Sequence, residues 1–267
     1  MDPLEPVNNP VASATITSTP DGWHALSRFT TARIALGRAG GSWRTETLLD
    51  FRLAHALARD AVLKPFQWEI LNEELVRAGF ETFPLATEAA DRQVFLKRPD
   101  LGRRLSPASR QQLEEKSGQW GRRDLAVLVS DGLSALAAER QVIPTLTALF
   151  PILLDAGWTI FPLFVIPFAR VKLQDEVGAV LQARHSLILL GERPGLGSPD
   201  NLGAYFTWQP NAKKTDADRN CFSNIRPAGL PPAQAAEKLA RLLIESGRRE
   251  VSGVALKETA PTLPPDF

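Results

Sequence analysis

From Asp124 onward, short apolar runs alternate with segments of helical period. That alternation limits the fold more than any other feature of the 267-residue chain. LAVLVS (125–130) is a continuous apolar run, as a strand buried on both faces requires. It ends at SDGLSA, a turn leading into VIPTLTALFPILLDAG, whose apolar residues recur with helical spacing. WTIFPLFVIPF (158–168) reads as the next strand, LQDEVGAVLQAR as a helix, and SLILLG and AYFTWQP as strands. PPAQAAEKLARLLIESG reads as a closing helix with Gly247 at its end. Strands alternating with helices predict an α/β fold: a Rossmann-like parallel sheet with flanking helices and right-handed crossovers. Ligands of such sheets bind outside the carboxyl ends of the strands. The loops after Ser130, Val165 and Gly191 are therefore expected on one edge.

The preceding region, 23–120, reads as mostly helical. Leu49, Leu53, Leu57 and Ala61 fall on one stripe of a helix, with Thr45 at its start as a cap. Ser106 followed by Pro107 marks another helix start, and Gly118 its end. QVFLKR (93–98) reads as a short strand. Residues 1–22 and 259–267, rich in Pro, Ser and Thr, are expected to be disordered or flexible tails. The resulting plan is a tail, a helical region over 23–120, a Rossmann-like domain over 121–258, and a second tail.

The bulk numbers exclude several classes of function. A formal net charge of +1 supplies no field for nucleic acid. The longest apolar stretch, 158–168, is too short for a bilayer and contains two prolines. The first twenty residues lack the basic and apolar regions of a secretory signal. One cysteine, Cys221, excludes an intramolecular disulfide and fits a reducing compartment, so a cytoplasmic location is expected.

The candidate chemistry starts with GERPGLGSPDNLG (191–203). Glycines after a strand suggest a phosphate cradle, yet neither the dinucleotide fingerprint nor the P-loop pattern is present. A plain connecting loop, its glycines relieving positive φ angles, fits equally well. Glu192 stands where a strand end meets a ligand, as a hydrogen-bond acceptor or as the partner of Arg193 or another arginine. Arg193, Gly195 and Gly197 belong to the same candidate edge. Ser130 and Asp131 either cap the following helix or face the ligand. Arg33, Arg38, Arg98, Arg103 and Arg104 either pair with a partner's carboxylates or are solvated; Lys213 and Lys214 read as a solvated loop tip. Cys221 as a nucleophile needs a base, and His24, His55 and His185 form no triad pattern with it. Nor do these residues have metal-ligand spacing. The chain reads as an α/β ligand-binding protein without a catalytic set of its own.

Eight phrases, in this order, carry a resemblance: RFTTARIALGRAG, LLDFRLAHALARDAV, RPDLGRRL, LVSDGLSA, RVKLQDEVG, LLGERPGLGSPDNLGAY, DADRNCFSNIRPAGL and SGVALKE. Together, from about Ser27 to Lys257, they closely resemble the small subunit of ethanolamine ammonia-lyase. GERPGLGSPD and RNCFSNIRP are the most specific. The resemblance implies adenosylcobalamin as cofactor and a large catalytic subunit as partner, commonly six of each subunit. It implies a radical reaction that turns ethanolamine into acetaldehyde and ammonia, with cobalamin lying between the subunits. It implies cofactor contacts from the valine of R-V-K, the glutamate of G-E-R-P-G and the cysteine of R-[TN]-C, here Val171, Glu192 and Cys221. The D-x-H-x-x-G motif of other cobalamin proteins is absent, which implies base-on binding with dimethylbenzimidazole kept on cobalt. Some family members carry an amphipathic N-terminal helix for a bacterial microcompartment. Pro3, Pro6, Pro10 and Pro20 argue against one here, so a free cytosolic enzyme is expected. The other reading left open is a non-catalytic cobalamin- or nucleotide-binding module of another complex.

Overall fold

The computed structural model describes residues 22–30 and 32–256. Both expected tails, Gly22 apart, and the segment expected to lack a targeting helix lie outside these residues. The chain divides into two compact units at His55/Ala56. In the first, a short 3-10 helix (His24–Phe29) precedes a hairpin of β1 (Arg38–Ala39) and β2 (Ser42–Trp43). Helix α1 (Thr45–Leu63) has Thr45 as its first residue, begins in this unit and continues past the boundary, and carries Leu49, Leu53 and Leu57 on an exposed stripe. Arg33 pairs with Asp50 at 2.8 Å.

The second unit is built on a six-stranded sheet. Its strands are β3 (Thr82–Pro84), β4 (Leu125–Ser130), β5 (Leu163–Val165), β6 (His185–Gly191), β7 (Leu202–Trp208) and β8 (Arg219–Ile225). The order is β3-β5-β4-β6-β7-β8. Strands β3, β5, β4 and β6 are mutually parallel, whereas β7 runs antiparallel to β6 and β8 antiparallel to β7. The fold is therefore mixed α/β, and the expectation of an all-parallel sheet is corrected. Ten residues, 192–201, join β6 to β7, with Gly191 opposite Leu202. A hairpin needs only a few linking residues, but a parallel return needs a helix-bearing crossover.

The helices are α2 (Trp68–Arg77), α3 (Arg92–Lys97), α4 (Pro107–Trp120), α5 (Ala135–Asp155), α6 (Leu173–Val180) and α7 (Pro232–Arg249). α5 and α7 pack against one face of the sheet with Val127, Val129, Leu187 and Leu189. α4 and α6 pack against the other with Ala126, Leu128, Phe164 and Ile188. Burial on both faces explains why LAVLVS is apolar throughout. The order reverses at β4, since β5 lies on one side of it and β6 on the other. The carboxyl ends of these three strands accordingly share an edge, as the sequence implies.

Several local expectations change. QVFLKR is helical, because Asp91 caps α3 by accepting from the Val94 N–H at 2.8 Å. Of WTIFPLFVIPF only Leu163–Val165 is strand, between Pro162 and Pro167, which cannot donate to a ladder. Ser106 caps α4 as expected, but the helix runs past Gly118 to Gly121, whose φ is 65°. Likewise α7 runs past Gly247 to Arg249, where Glu250 takes the left-handed conformation.

His185 gives a first expected result. Its ring is fully buried between Trp158 and Trp208, at centroid distances of 4.8 and 4.7 Å, with Nε2 3.1 Å from Ser246 Oγ. Burial, reinforced by the Arg184 charge, pushes its pKa down from 6.5 to about 3. The unfolded chain therefore binds a proton there that the folded chain does not. Its stabilising contribution is full above pH 6.5 and falls as the pH drops towards about 3, by about 1.4 kcal/mol per unit inside that window. Denaturant melts at pH 7 and pH 5 should show His185→Phe less acid-sensitive than wild type by about 2 kcal/mol, since only the interval below 6.5 counts; equal sensitivity would refute the assignment.

Candidate ligand-binding site

Helix α6 packs over β4 and β6 and reaches β8 through Asp175, which pairs with Arg219. A cavity of about 650 Å³ lies on the same side of β7 and β8. Tyr205 and Cys221, directly paired across β7 and β8, form its floor beside Arg219. One wall is Arg170, Val171 and Lys172, the turn that enters α6; Arg103, Lys214, Thr215 and Asp216 complete the rim. Alternation along β8 sends Arg219, Cys221 and Ser223 to one side of the sheet and packs Phe222 into the core on the other.

Val171 and Cys221 thus meet across one cavity. Glu192 stands just behind it. Its backbone N–H donates to the Asn201 carbonyl at 2.9 Å, closing the base of the hairpin loop. Its carboxylate accepts from Tyr205 Oη at 3.3 Å, Ser223 Oγ at 2.8 Å and the Asn224 N–H at 3.3 Å. These donors are all neutral, so the arginine pairing open to it in sequence is not what holds it. Tyr205, the only tyrosine of the chain, connects Glu192 to Cys221. Desolvation pushes its hydroxyl well above the usual range, with the neighbouring Cys221 and Glu192 adding to the effect. Desolvation also pushes the Cys221 thiol up, against the hydrogen bond to Tyr205, so the protonated thiol is favoured. In this unit the only histidine is the buried His185, so Cys221 lacks the base a nucleophile needs.

The glycine loop has a different logic from either sequence reading. Gly191, Gly195, Gly197 and Gly203 are absent from the residues with positive φ. Gly203 is required by contact: a Cβ there would come within 2.8 Å of both Glu192 Oε1 and the Tyr205 ring. It leaves room for the two side chains to meet. The far end of the loop is tied to α5 by Ser134 Oγ donating to the Pro199 carbonyl at 2.7 Å and by Arg140 to Asp200 at 3.2 Å. Arg193 is exposed, and Gly195 closes a small turn with Ser198.

Ser130 and Asp131 are fully buried and neither caps α5; Ser134 does, accepting from the Ala137 N–H at 3.2 Å. Ser130 Oγ accepts from the Ala169 N–H at 3.0 Å. Asp131 accepts from the Phe168 N–H at 2.7 Å and pairs with Arg92 at 2.7 Å. Arg92 also donates to the carbonyls of Val62 and Gly132, which fixes this end of the sheet. Of the arginines considered in sequence, Arg98 and Arg104 pair with Asp100, and Arg104 also with Glu88. Arg103 faces the cavity, and so does Lys214, which the sequence places on a solvated tip. Sequence reasoning did not single out Tyr205, Arg170 or Lys172. The last two flank Val171 in R-V-K, which was signal enough to include them.

These features define a mixed α/β binding chain. A cationic cavity lies against β7 and β8, and no cluster of three metal-ligating side chains exists among the described residues. Residues 20–257 match the family described as ethanolamine ammonia-lyase light chain. The ethanolamine ammonia-lyase small subunit of Azotobacter vinelandii (strain DJ / ATCC BAA-1303) is 49% identical, covering 91% of this chain and 90% of that protein. Its counterpart in Pseudomonas aeruginosa (strain LESB58) is 50% identical over 89% of this chain and 88% of the relative. That of Pseudomonas syringae pv. tomato is 48% identical, over 89% and 83%. The chain belongs to the ethanolamine ammonia-lyase small-subunit family.

Proposed function

We propose that this chain is the small subunit of an ethanolamine ammonia-lyase and presents one side of an adenosylcobalamin site to a large subunit. The observation that carries the reading is the meeting of Val171 and Cys221 across one open cavity, with Glu192 joined to them through Tyr205. The residues suit a large flat cofactor with amide-bearing arms. Val171, Tyr205 and Cys221 offer neutral surface, and Gly203 carries no side chain to displace Glu192. Glu192 supplies an acceptor for amide N–H groups. When bound, adenosylcobalamin supplies the radical chemistry that removes ammonia from ethanolamine and leaves acetaldehyde. The residues of this chain bind and orient the cofactor, and the large subunit excludes water and holds the substrate. His185 is locked between two tryptophans, so this unit offers no histidine for cobalt, in keeping with base-on binding.

The Rossmann-like part of the reading is the parallel set β3-β5-β4-β6, and the cavity extends it onto β7 and β8. The full assembly is proposed as six large and six small subunits in the cytosol. No described helix is long and apolar enough to cross a membrane.

Co-expression with a large subunit of the same enzyme, followed by an absorbance spectrum and an ammonia-release assay, tests the reading. Ammonia release is expected only with both subunits and added adenosylcobalamin. Release by the chain alone, or no gain on mixing, would overturn it. Glu192→Ala is expected to weaken cobalamin binding by about 1–3 kcal/mol, the worth of hydrogen bonds to a charged acceptor, with less effect on turnover at saturation. Unchanged affinity in the complex removes Glu192 from the contact set.

A further inference from the structure

We infer that Arg103, Arg170 and Lys214 form an anion site for the phosphodiester in the nucleotide arm of cobalamin; this rests on the cobalamin reading above. Five cationic side chains line the cavity, against one carboxylate, Asp216. Two of the five are already paired with carboxylates of the chain. Arg219 is held by both oxygens of buried Asp175, at 2.7 and 2.9 Å, and Lys172 lies 3.1 Å from the same carboxylate. Lys172 also donates to the carbonyls of Ala212 and Lys214, which pins the Lys214 backbone beside the cavity.

The other three have no carboxylate within ion-pair reach among the described residues. Arg170 is the most telling. Its guanidinium carbon sits 4.0 Å from the Phe95 ring centroid and Nη2 donates to the Phe95 carbonyl at 3.3 Å, so the group is held in place. Its Nε is buried and has no partner. Burial and the charges of Arg92, Arg103 and Arg193 disfavour its cationic form and outweigh the favourable pull of the more distant Asp131. An isolated chain with such a cluster is electrostatically unfinished, and a bound anion would relieve both the desolvation and the repulsion. The corrin arms end in neutral amides. The phosphodiester is the fixed anion of cobalamin, and guanidinium groups match its oxygens in forked geometry.

The test titrates three corrinoids into the complex of both subunits and reads binding by absorbance and equilibrium dialysis. Cobalamin carries the phosphodiester, cobinamide phosphate carries a phosphate without the base, and cobinamide carries neither. Arg103 is exposed and unpaired, so Arg103→Ala leaves the fold intact, and Arg170→Lys keeps the charge while losing the fork. Both variants are expected to bind cobalamin and cobinamide phosphate about tenfold more weakly and cobinamide unchanged, with the difference shrinking as salt rises. An equal loss on all three ligands, or none, overturns the inference. So does impaired subunit assembly with unaltered cobalamin affinity, because the cations would then answer an acidic surface of the large subunit. If the wild-type complex binds none of the three, the cobalamin reading itself fails.

Discussion

Asp175→Ala is expected to destabilise the chain by about 3–5 kcal/mol, the typical loss on breaking a buried ion pair from one side. The Asp175 side chain on α6 is 2% exposed and that of Arg219 on β8 is 3% exposed. Two parallel hydrogen bonds join them in forked geometry. Without the carboxylate, Arg219 keeps only exposed Asp216 at 3.3 Å and the Thr207 hydroxyl at 3.3 Å. Neither replaces a buried anion. The pair also has a place in the site: Lys172 shares Asp175 and adjoins Val171, while Arg219 lies two residues before Cys221. Its loss should therefore loosen the two sides of the cavity together. Asp175→Leu combined with Arg219→Leu should recover much of the stability, because no buried charge is left unpaired and the groups that lose a partner, Lys172 and Asp216, reach solvent. Denaturant melts of the two variants beside wild type decide the matter. A loss below about 1 kcal/mol for Asp175→Ala would mean the pair behaves like a surface one.

The parts of the fold legible in sequence were those buried on both faces. β4 and β6 announce themselves as unbroken apolar runs, and α7 as a helix with a clear apolar stripe, because each contacts core along its whole length. β8 was not legible as a strand. Its residues Arg219 and Cys221 line the cavity and Ser223 holds Glu192, so the apolar alternation that marks a half-buried strand is missing. The strand was hidden by the same polarity that suits it to a binding surface. The antiparallel turn of β7 was recoverable: 192–201 contains Pro194 and Pro199 and no helical period, so a crossover helix has no room there.

The candidate site divides along similar lines. Sequence pattern put Glu192 at the end of a strand, and the resemblance joined to it Val171 and Cys221, two residues that the fold places on one cavity. Ser130 and Asp131 were attractive because they end a strand, but their polar atoms hold backbone of the next loop. Which polar residue at a strand end faces inward depends on the path of the neighbouring loop, and that path is tertiary. The same holds for Arg103 and Lys214, which are 111 residues apart in sequence, by the difference of their positions, and share one rim.

Gly191→Ala should be among the most damaging single-methyl changes in the molecule, and Gly197→Ala in the same loop nearly silent. A Cβ on Gly191 would lie 2.1 Å from the Ser134 carbonyl oxygen, 2.5 Å from that of Asp131 and 2.7 Å from the Ser134 carbonyl carbon. All three are backbone atoms, and neither residue is free to yield. Ser134 caps α5 and binds Pro199; Asp131 is anchored by Arg92 and the Phe168 N–H. From the other side, Gly132 presses equally close, a Cβ there falling 2.4 Å from the Gly191 oxygen, at a φ of 49°. The Leu133 N–H donates to that same oxygen at 2.8 Å. The strain has one outlet, a shift of β6 away from α5, and it carries Glu192 with it. A loss of about 3 kcal/mol, the upper end for overpacking, is therefore expected, together with weaker cobalamin binding by the complex. Gly197 has nothing within 4 Å of its missing Cβ, so alanine there should stay within about 0.5 kcal/mol of wild type. Thermal unfolding of the two variants side by side is the measurement. Equal melting temperatures would show that the glycines of this loop serve chain flexibility after all, and not the contact between the ends of β4 and β6.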